Sequence, residues 1–169
     1  MSILDFHPIL QTRRNHALEH ASLHILAQRH PQRQFGGHSN PTGFIIFGEA
    51  PLEDIRDSVD QALTRLRAGE TQLAIHPGCG TNYATSALVG GMLGWLAISG
   101  AKSRRGWLWR LPFAILLSIL GFVLAQPLGP ALQARFTTEP NPGNLEVVEI
   151  KSINLFGQTI HQISTRGIV

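Results

Sequence analysis

Residues 15–26, NHALEHASLHIL, hold His16, His20 and His24 at intervals of four, with Glu19 directly before the second histidine. Residues four apart lie one turn above each other on one helix face. Two such imidazoles can bind a single zinc ion, and a neighbouring carboxylate can act as general base on the attacking water. His16 to His20 spells H-x-x-E-H, the reverse of the H-E-x-x-H order. The pattern is short, and the same residues could instead hydrogen-bond locally within a core. A second segment, AIHPGCGTN (74–82), places His76 and Cys79 three apart in a turn forced by Pro77, Gly78 and Gly80. Such a turn can aim an imidazole and a thiolate at one point, with backbone N–H groups around the glycines supporting the thiolate. Zinc takes four ligands from N, S and O donors, and a catalytic site keeps one position for water. The expected metal ligands are therefore His16, His20 and Cys79, with His76 as a fourth ligand or as a partner behind them. Glu19 is the expected catalytic base, and His24 and Asn82 support the ligands. The rival reading is a hydrogen-bonded polar cluster that holds the first helix against the turn. His7, His30 and His161 look incidental, and His38 sits in a Gly/Asn/Pro loop that could fold over the site.

These residues need elements to carry them. Ala17, Leu18, Glu19, Ala21, Leu23 and Leu26 favour helix, so a first helix is expected from about Pro8 to Arg29, ended by His30-Pro31. The stretch PQRQFGGHSNPTG reads as a loop, and GFIIFG (43–48) as a short buried strand. A second helix is expected from Pro51 to Ala68. Its apolar positions Leu52, Ile55, Val59, Ala62, Leu63 and Leu66 recur at three and four, with acids in its first turns and Arg65 and Arg67 in its last. TQLAIHP (71–77) reads as a second strand, which would make 43–77 a minimal βαβ unit. After the Pro/Gly-rich TTEPNPGN, alternation from Leu145 to Ser164 predicts an antiparallel hairpin turning near Phe156-Gly157.

Hydrophobic residues make up 43% of the 169-residue chain and charged residues only 15%, where soluble domains carry roughly 25% charged. The missing charge is localised: Thr71–Ala101 and Leu111–Ala134 contain no Asp, Glu, Lys or Arg. Two apolar segments, 84–101 and 107–125, coincide with most of these stretches, each close to the roughly 20 residues that span a bilayer. Trp107 and Trp109 sit where interfacial aromatics belong, and Arg110 can snorkel to the headgroups. Gly90, Gly91 and Gly94 would let a second membrane helix, from a partner or another copy, approach closely. The basic residues between the segments form one short loop rather than a stripe, so nucleic acid is not an expected partner. The single cysteine, Cys79, excludes an intramolecular disulfide.

The combination H-x-x-E-H, then H-P-x-C-G-T, then membrane helices resembles a bacterial membrane family labelled as metal-dependent enzymes. That likeness rests on His16, Glu19, His20, His76, Pro77, Cys79, Gly80 and Thr81. Ala21 stands where that family has a lysine, which removes one catalytic cation. Over about the first 165 residues, RRNHALEHASLHIL, PTGFIIFG, LAIHPGCGTN and the hairpin resemble a small domain-of-unknown-function family of membrane proteins from cyanobacteria and Chloroflexi. Neither resemblance implies an established reaction.

Together these readings predict an α+β protein. A small mixed helix/sheet globule carries a two-helix transmembrane hairpin, inserted before a C-terminal β-hairpin. The expected parts are 1–83 with the metal site, 84–126 as the transmembrane hairpin, and 135–169 completing the globule. The expected function is a Zn2+-dependent, peptidase-like hydrolase at the membrane surface. The alternative is an accessory or assembly subunit of a membrane complex, with a structural metal or none. In that case Glu19 would enter a salt bridge with Arg13 or Arg14. The loop holding Lys102, Arg104, Arg105 and Arg110 favours the cytoplasm. An 83-residue folded N-terminal portion with no signal peptide argues the reverse topology, and the expectation falls on a cytoplasmic globule.

Overall fold

The computed structural model describes residues 3–155 and 158–167. The chain divides into two compact units, Met1–His76 with Gln133–Val169, and Pro77–Leu132.

The first unit is built on α1, His7–Arg29. Pro8 suits its first turn, where a missing N–H costs nothing. The helix is buried on most of its circumference: Ala17, Leu18, Ala21 and Leu26 are fully inaccessible, and so is Asn15. A four-stranded antiparallel sheet stands beside it, in the order β1 (Gly36–Asn40), β2 (Gly43–Phe47), β4 (Gln158–Arg166), β3 (Glu146–Leu155). α2, Leu52–Arg67, carries Glu53 and Asp54 in its first turn and Arg65 and Arg67 in its last, which complements the helix dipole. Gly69, at φ 92°, takes the left-handed conformation just beyond it. Ile55, Val59, Ala62 and Leu66 of α2 join Phe44 and Ile46 of β2, Ile163 of β4 and Leu18 and Leu26 of α1 in one core. Asn15 ties helix to sheet: its amide N–H donates to the Asn40 carbonyl at 2.8 Å, and its Oδ1 accepts from the Thr165 hydroxyl at 2.7 Å.

Three local expectations differ from the structure. Residues 36–40, GGHSN, form β1 rather than a loop, because the backbone of β2 offers them a ladder from Gly36↔Phe47 to Asn40↔Gly43. Thr71–Ala74 form one turn of 3-10 helix rather than a strand. There is accordingly no βαβ unit at 43–77, and β2 pairs antiparallel with β1 and β4. The β3–β4 hairpin is present with its register from Glu146↔Arg166 to Leu155↔Gln158, and it joins β2 through β4. The expected turn at Phe156-Gly157 lies outside the described residues. A wide helical turn, Gln133–Thr137, follows the second unit and was not expected from the sequence.

The second unit is a helical hairpin, α3 (Gly80–Ile98) and α4 (Arg104–Leu124), followed by the short α5 (Leu128–Leu132). Ser103 caps α4 by accepting from the Gly106 N–H at 3.1 Å. Arg110 donates to the Ser99 carbonyl at 3.0 Å and so satisfies the end of α3. A Cβ on Gly90 would lie 2.6 Å from the Ser118 carbonyl oxygen, and one on Gly94 would strike the Ser118 hydroxyl. These two glycines, expected to meet a partner, are spent on the approach of α4, while Gly91 has nothing within 4 Å. Among the described residues α4 is the one helix long and apolar enough to cross a membrane, with mean hydropathy 1.9.

Candidate metal centre

The histidines on α1 are held by backbone carbonyls. His16 Nδ1 lies 2.9 Å from the Thr137 oxygen, His20 Nδ1 2.7 Å from the Ala74 oxygen, and His24 Nε2 2.8 Å from the Ile75 oxygen. A carbonyl can only accept, so each of these nitrogens carries the proton. The neutral tautomer is thereby fixed, with the lone pair on Nε2 in His16 and His20 and on Nδ1 in His24. The 3-10 turn Thr71–Ala74 brings the carbonyls of Ala74 and Ile75 to α1, and the helical turn Gln133–Thr137 brings that of Thr137. A strand at 71–77 would have committed alternate carbonyls to a neighbouring strand.

His76 completes an imidazole group. Ring centroids are 4.2 Å apart for His16 and His20, 5.6 Å for His20 and His76, and 4.8 Å for His24 and His76. Burial, together with the neighbouring His20 and His24, pushes the pKa of His76 down to about 4. It is therefore neutral at physiological pH, the form in which imidazole binds metals. The main chain of His76 is clamped by Gln133, a fully buried side chain that sequence reasoning missed. The His76 N–H donates to Gln133 Oε1 at 2.9 Å, and Gln133 Nε2 donates to the His76 carbonyl at 3.1 Å. A lone glutamine after a proline-rich segment carries no pattern that would have singled it out.

Glu19 is 3% exposed. Its Oε2 accepts a 2.5 Å hydrogen bond from the Ser39 hydroxyl on β1. Its side chain also fills the space beside Gly37, where a Cβ would sit 2.5 Å from Oε1. This explains the glycine in β1. Ser39 and Gly37 were both missed, because their strand was not recognised. Arg13, one of the two cations considered as a partner for Glu19, donates to the carbonyls of Phe136 and Thr138 and lies 3.6 Å from Glu139. Arg14 lies against Gly143.

Cys79 is the residue before α3, three beyond His76 along the chain, is buried, and forms no disulfide. Asn82 braces its turn, donating from its backbone N–H to the Cys79 carbonyl at 3.0 Å and from Nδ2 to the Pro77 carbonyl at 2.8 Å. Its thiol is a metal-ligating type, as are the imidazoles of His16 and His20. The remaining histidines serve elsewhere. His38 is exposed on β1. His30 pairs with Asp54 at 2.9 Å. His161 is buried in β4, 2.9 Å from the Ser152 hydroxyl of β3.

The match to known proteins covers this whole arrangement. A family model described as "Domain of unknown function (DUF6391)" matches residues 11–150. The chain belongs to that family. An uncharacterized protein of the cyanobacterium Picosynechococcus sp. is 34% identical over 170 residues, covering 88% of this chain and 77% of the relative. No solved structure matches. The residues from His16 to Cys79 and both long hairpin helices fall inside the family match, and β4 falls outside it.

Proposed function

We propose that the chain is a membrane-anchored zinc-dependent hydrolase of peptidase type, in which His16, His20 and Cys79 hold the metal and Glu19 is the general base. The observation that carries this reading is the pair of Nδ1–H bonds from His16 and His20 to backbone carbonyls. Metal-ligating histidines characteristically donate their other ring nitrogen in this way, which fixes tautomer and orientation. His76, held neutral, serves as a fourth ligand or as a neighbour that supports the others, and His24 supports His76. Bound zinc would supply electrophilic polarisation of a carbonyl group. Glu19 takes a proton from water as the water oxygen bonds to the carbonyl carbon. It then passes that proton to the leaving nitrogen or oxygen as the C–N or C–O bond breaks. Ser39 orients the carboxylate for both transfers. The substrate is a peptide or a lipid-linked amide or ester.

The membrane reading is supported by α4, whose large apolar side chains are exposed and suit a bilayer. The unit carrying the histidines sits on the cytoplasmic side, where reducing conditions keep a thiolate available. Maleimide labelling of intact cells tests this, using Ser103→Cys and Ser164→Cys singly in a Cys79→Ser background. Labelling at 103 alone is expected, and labelling at 164 alone reverses the topology.

Elemental analysis of purified protein tests the centre. About one zinc per chain is expected in wild type and in Glu19→Gln, with loss in His20→Ala. Glu19→Gln should abolish zinc-dependent cleavage of a fluorogenic peptide and a p-nitrophenyl ester. Loss of zinc in that variant would make Glu19 a ligand and refute the general-base role. The burial of Glu19 and His20, 3% and 1% exposed, favours one other reading, a structural metal in an accessory subunit. On that reading zinc is retained and neither probe is cleaved by wild type.

A further inference from the structure

The helical hairpin contains a cavity of about 340 Å³, lined by Pro77, Asn82, Tyr83, Ser86, Phe122, Gln126 and Pro130. It lies wholly within the second unit. Ser86 is in the second turn of α3 and Phe122 in the last turn of α4. The cavity is therefore at the end of the hairpin opposite the basic loop of Lys102, Arg104 and Arg105. The ends of a bilayer-spanning helix reach the interfacial level, where the ester groups of lipids lie.

The lining is chemically selective. No charged side chain contributes to it, which disfavours a phosphate. Tyr83, Phe122, Pro77 and Pro130 supply apolar walls. Ser86 is 2% exposed, yet its hydroxyl makes no hydrogen bond among the described residues. On the same helix the Thr85 hydroxyl bonds back to the carbonyl four residues earlier, Thr81, as Ser22 on α1 does to Leu18. Ser86 lines the cavity, so its hydroxyl is placed to donate to a group bound there. The cavity volume is at the small end of ligand sites, roughly 300–1,000 Å³. It would admit a carbonyl-bearing neck with a few methylenes rather than a whole lipid.

We propose that this cavity binds the acyl-ester neck of a membrane lipid, with the Ser86 hydroxyl donating to the ester carbonyl and the acyl chain leaving along the apolar flank of α3 and α4. The inference rests on the bilayer reading of α4 given above. It also narrows the substrate of the proposed hydrolase. Pro77, in the cavity wall, lies two residues before Cys79, so a lipid-linked amide or ester is the class the neighbouring turn would meet.

The test uses the full chain in phosphatidylcholine vesicles. These contain a small fraction of phosphatidylcholine bearing a diazirine on the acyl chain close to the ester. After photolysis, adducts are mapped by mass spectrometry. Adducts should concentrate at 82–86 and 122–130. Ser86→Ala should lower their yield about three- to tenfold, the worth of one hydrogen bond. Gln126→Trp should lower it further by filling the cavity mouth from an exposed position, while adducts at Leu116 and Ile119 stay unchanged in both variants. Adducts no denser at the cavity than at Leu116 and Ile119, or indifferent to both substitutions, would overturn the proposal. Alkaline carbonate extraction separates the premises. Release of the chain refutes the bilayer reading and this inference with it, whereas retention without localised adducts refutes the cavity alone.

Discussion

In the unit that carries the histidines, the buried side chains are large: Phe44, Leu18, Leu26, Ile46, Ile55 and Ile163. In the unit Pro77–Leu132 the buried positions along α3 and α4 are small: Ser86, Gly90, Gly94, Ala114 and Gly121. There Trp95, Trp109, Phe113, Leu116 and Ile119 are more than half exposed. The first pattern is what water imposes, since hiding apolar area from it is the main gain on folding. The second is what lipid would permit under the proposed bilayer reading. Acyl chains are as apolar as leucine, so large side chains gain little by turning inward, and helices pair through small residues that let backbones approach. On the proposed bilayer reading one chain follows two rules of burial, and the change between the two patterns falls at residues 76–77 and 132–133.

The sharpest way to break the comparison is to place the same residue in both regions. Val59→Lys buries an unpaired ammonium in the aqueous core, at a position of 0% exposure. It should cost more than about 4 kcal/mol and unfold that unit, read as loss of near-ultraviolet circular dichroism. Leu116→Lys, at 62% exposure, should leave the detergent-solubilised chain folded yet weaken insertion into vesicles by about 3 kcal/mol. An unchanged flotation profile for Leu116→Lys would remove the claim that α4 faces lipid.

Gln133→Leu tests the polar half of the first unit. It leaves the half-buried N–H and C=O of His76 without their side-chain partner, for about 1–2 kcal/mol. Because His76 then loses its clamp, zinc affinity should fall as well, measured by competition with a chromogenic chelator. Retained affinity would detach His76 from the centre.

A smaller effect separates the hairpin glycines. Gly94→Leu must push Ser118 and α4 away, costing about 1–3 kcal/mol as overpacking, whereas Gly91→Leu meets open space. The expected readout is a lowered Tm for the first and wild-type behaviour for the second.

The smallest expected effect is in the pH response. Burial lowers the pKa of His161, partly opposed by a backbone hydrogen bond with Gly48. The unfolded chain then takes up a proton near pH 6.5 that the folded chain refuses, so this residue makes stability fall as pH drops below about 6.5. His161→Asn should flatten the decline of Tm between pH 7 and pH 5.5. An identical slope in both proteins would show that His161 is not a source of it.

What could be read from the sequence was whatever repeats within a few residues. The α1 stripe of His16, His20 and His24, the apolar face of α2, the buried GFIIF strand, the β3–β4 alternation and the length of α4 all follow from periodicity and local composition. H-x-x-E-H and H-P-x-C were each legible as motifs for the same reason, because ligand types at fixed spacing are a local signal. Tertiary structure decided the rest. GGHSN has no strand propensity of its own, and it is a strand only because β2 lies beside it and Glu19 requires the space at Gly37. TQLA has the alternation of a strand but has no neighbouring strand, and its carbonyl groups go to α1 histidines instead. Gln133 and Thr137 reach His76 and His16 across 57 and 121 residues of chain. Hydrogen-bond partners so far apart in sequence leave no mark on local pattern. They are selected only when folding brings a buried polar group to a place where it must be satisfied.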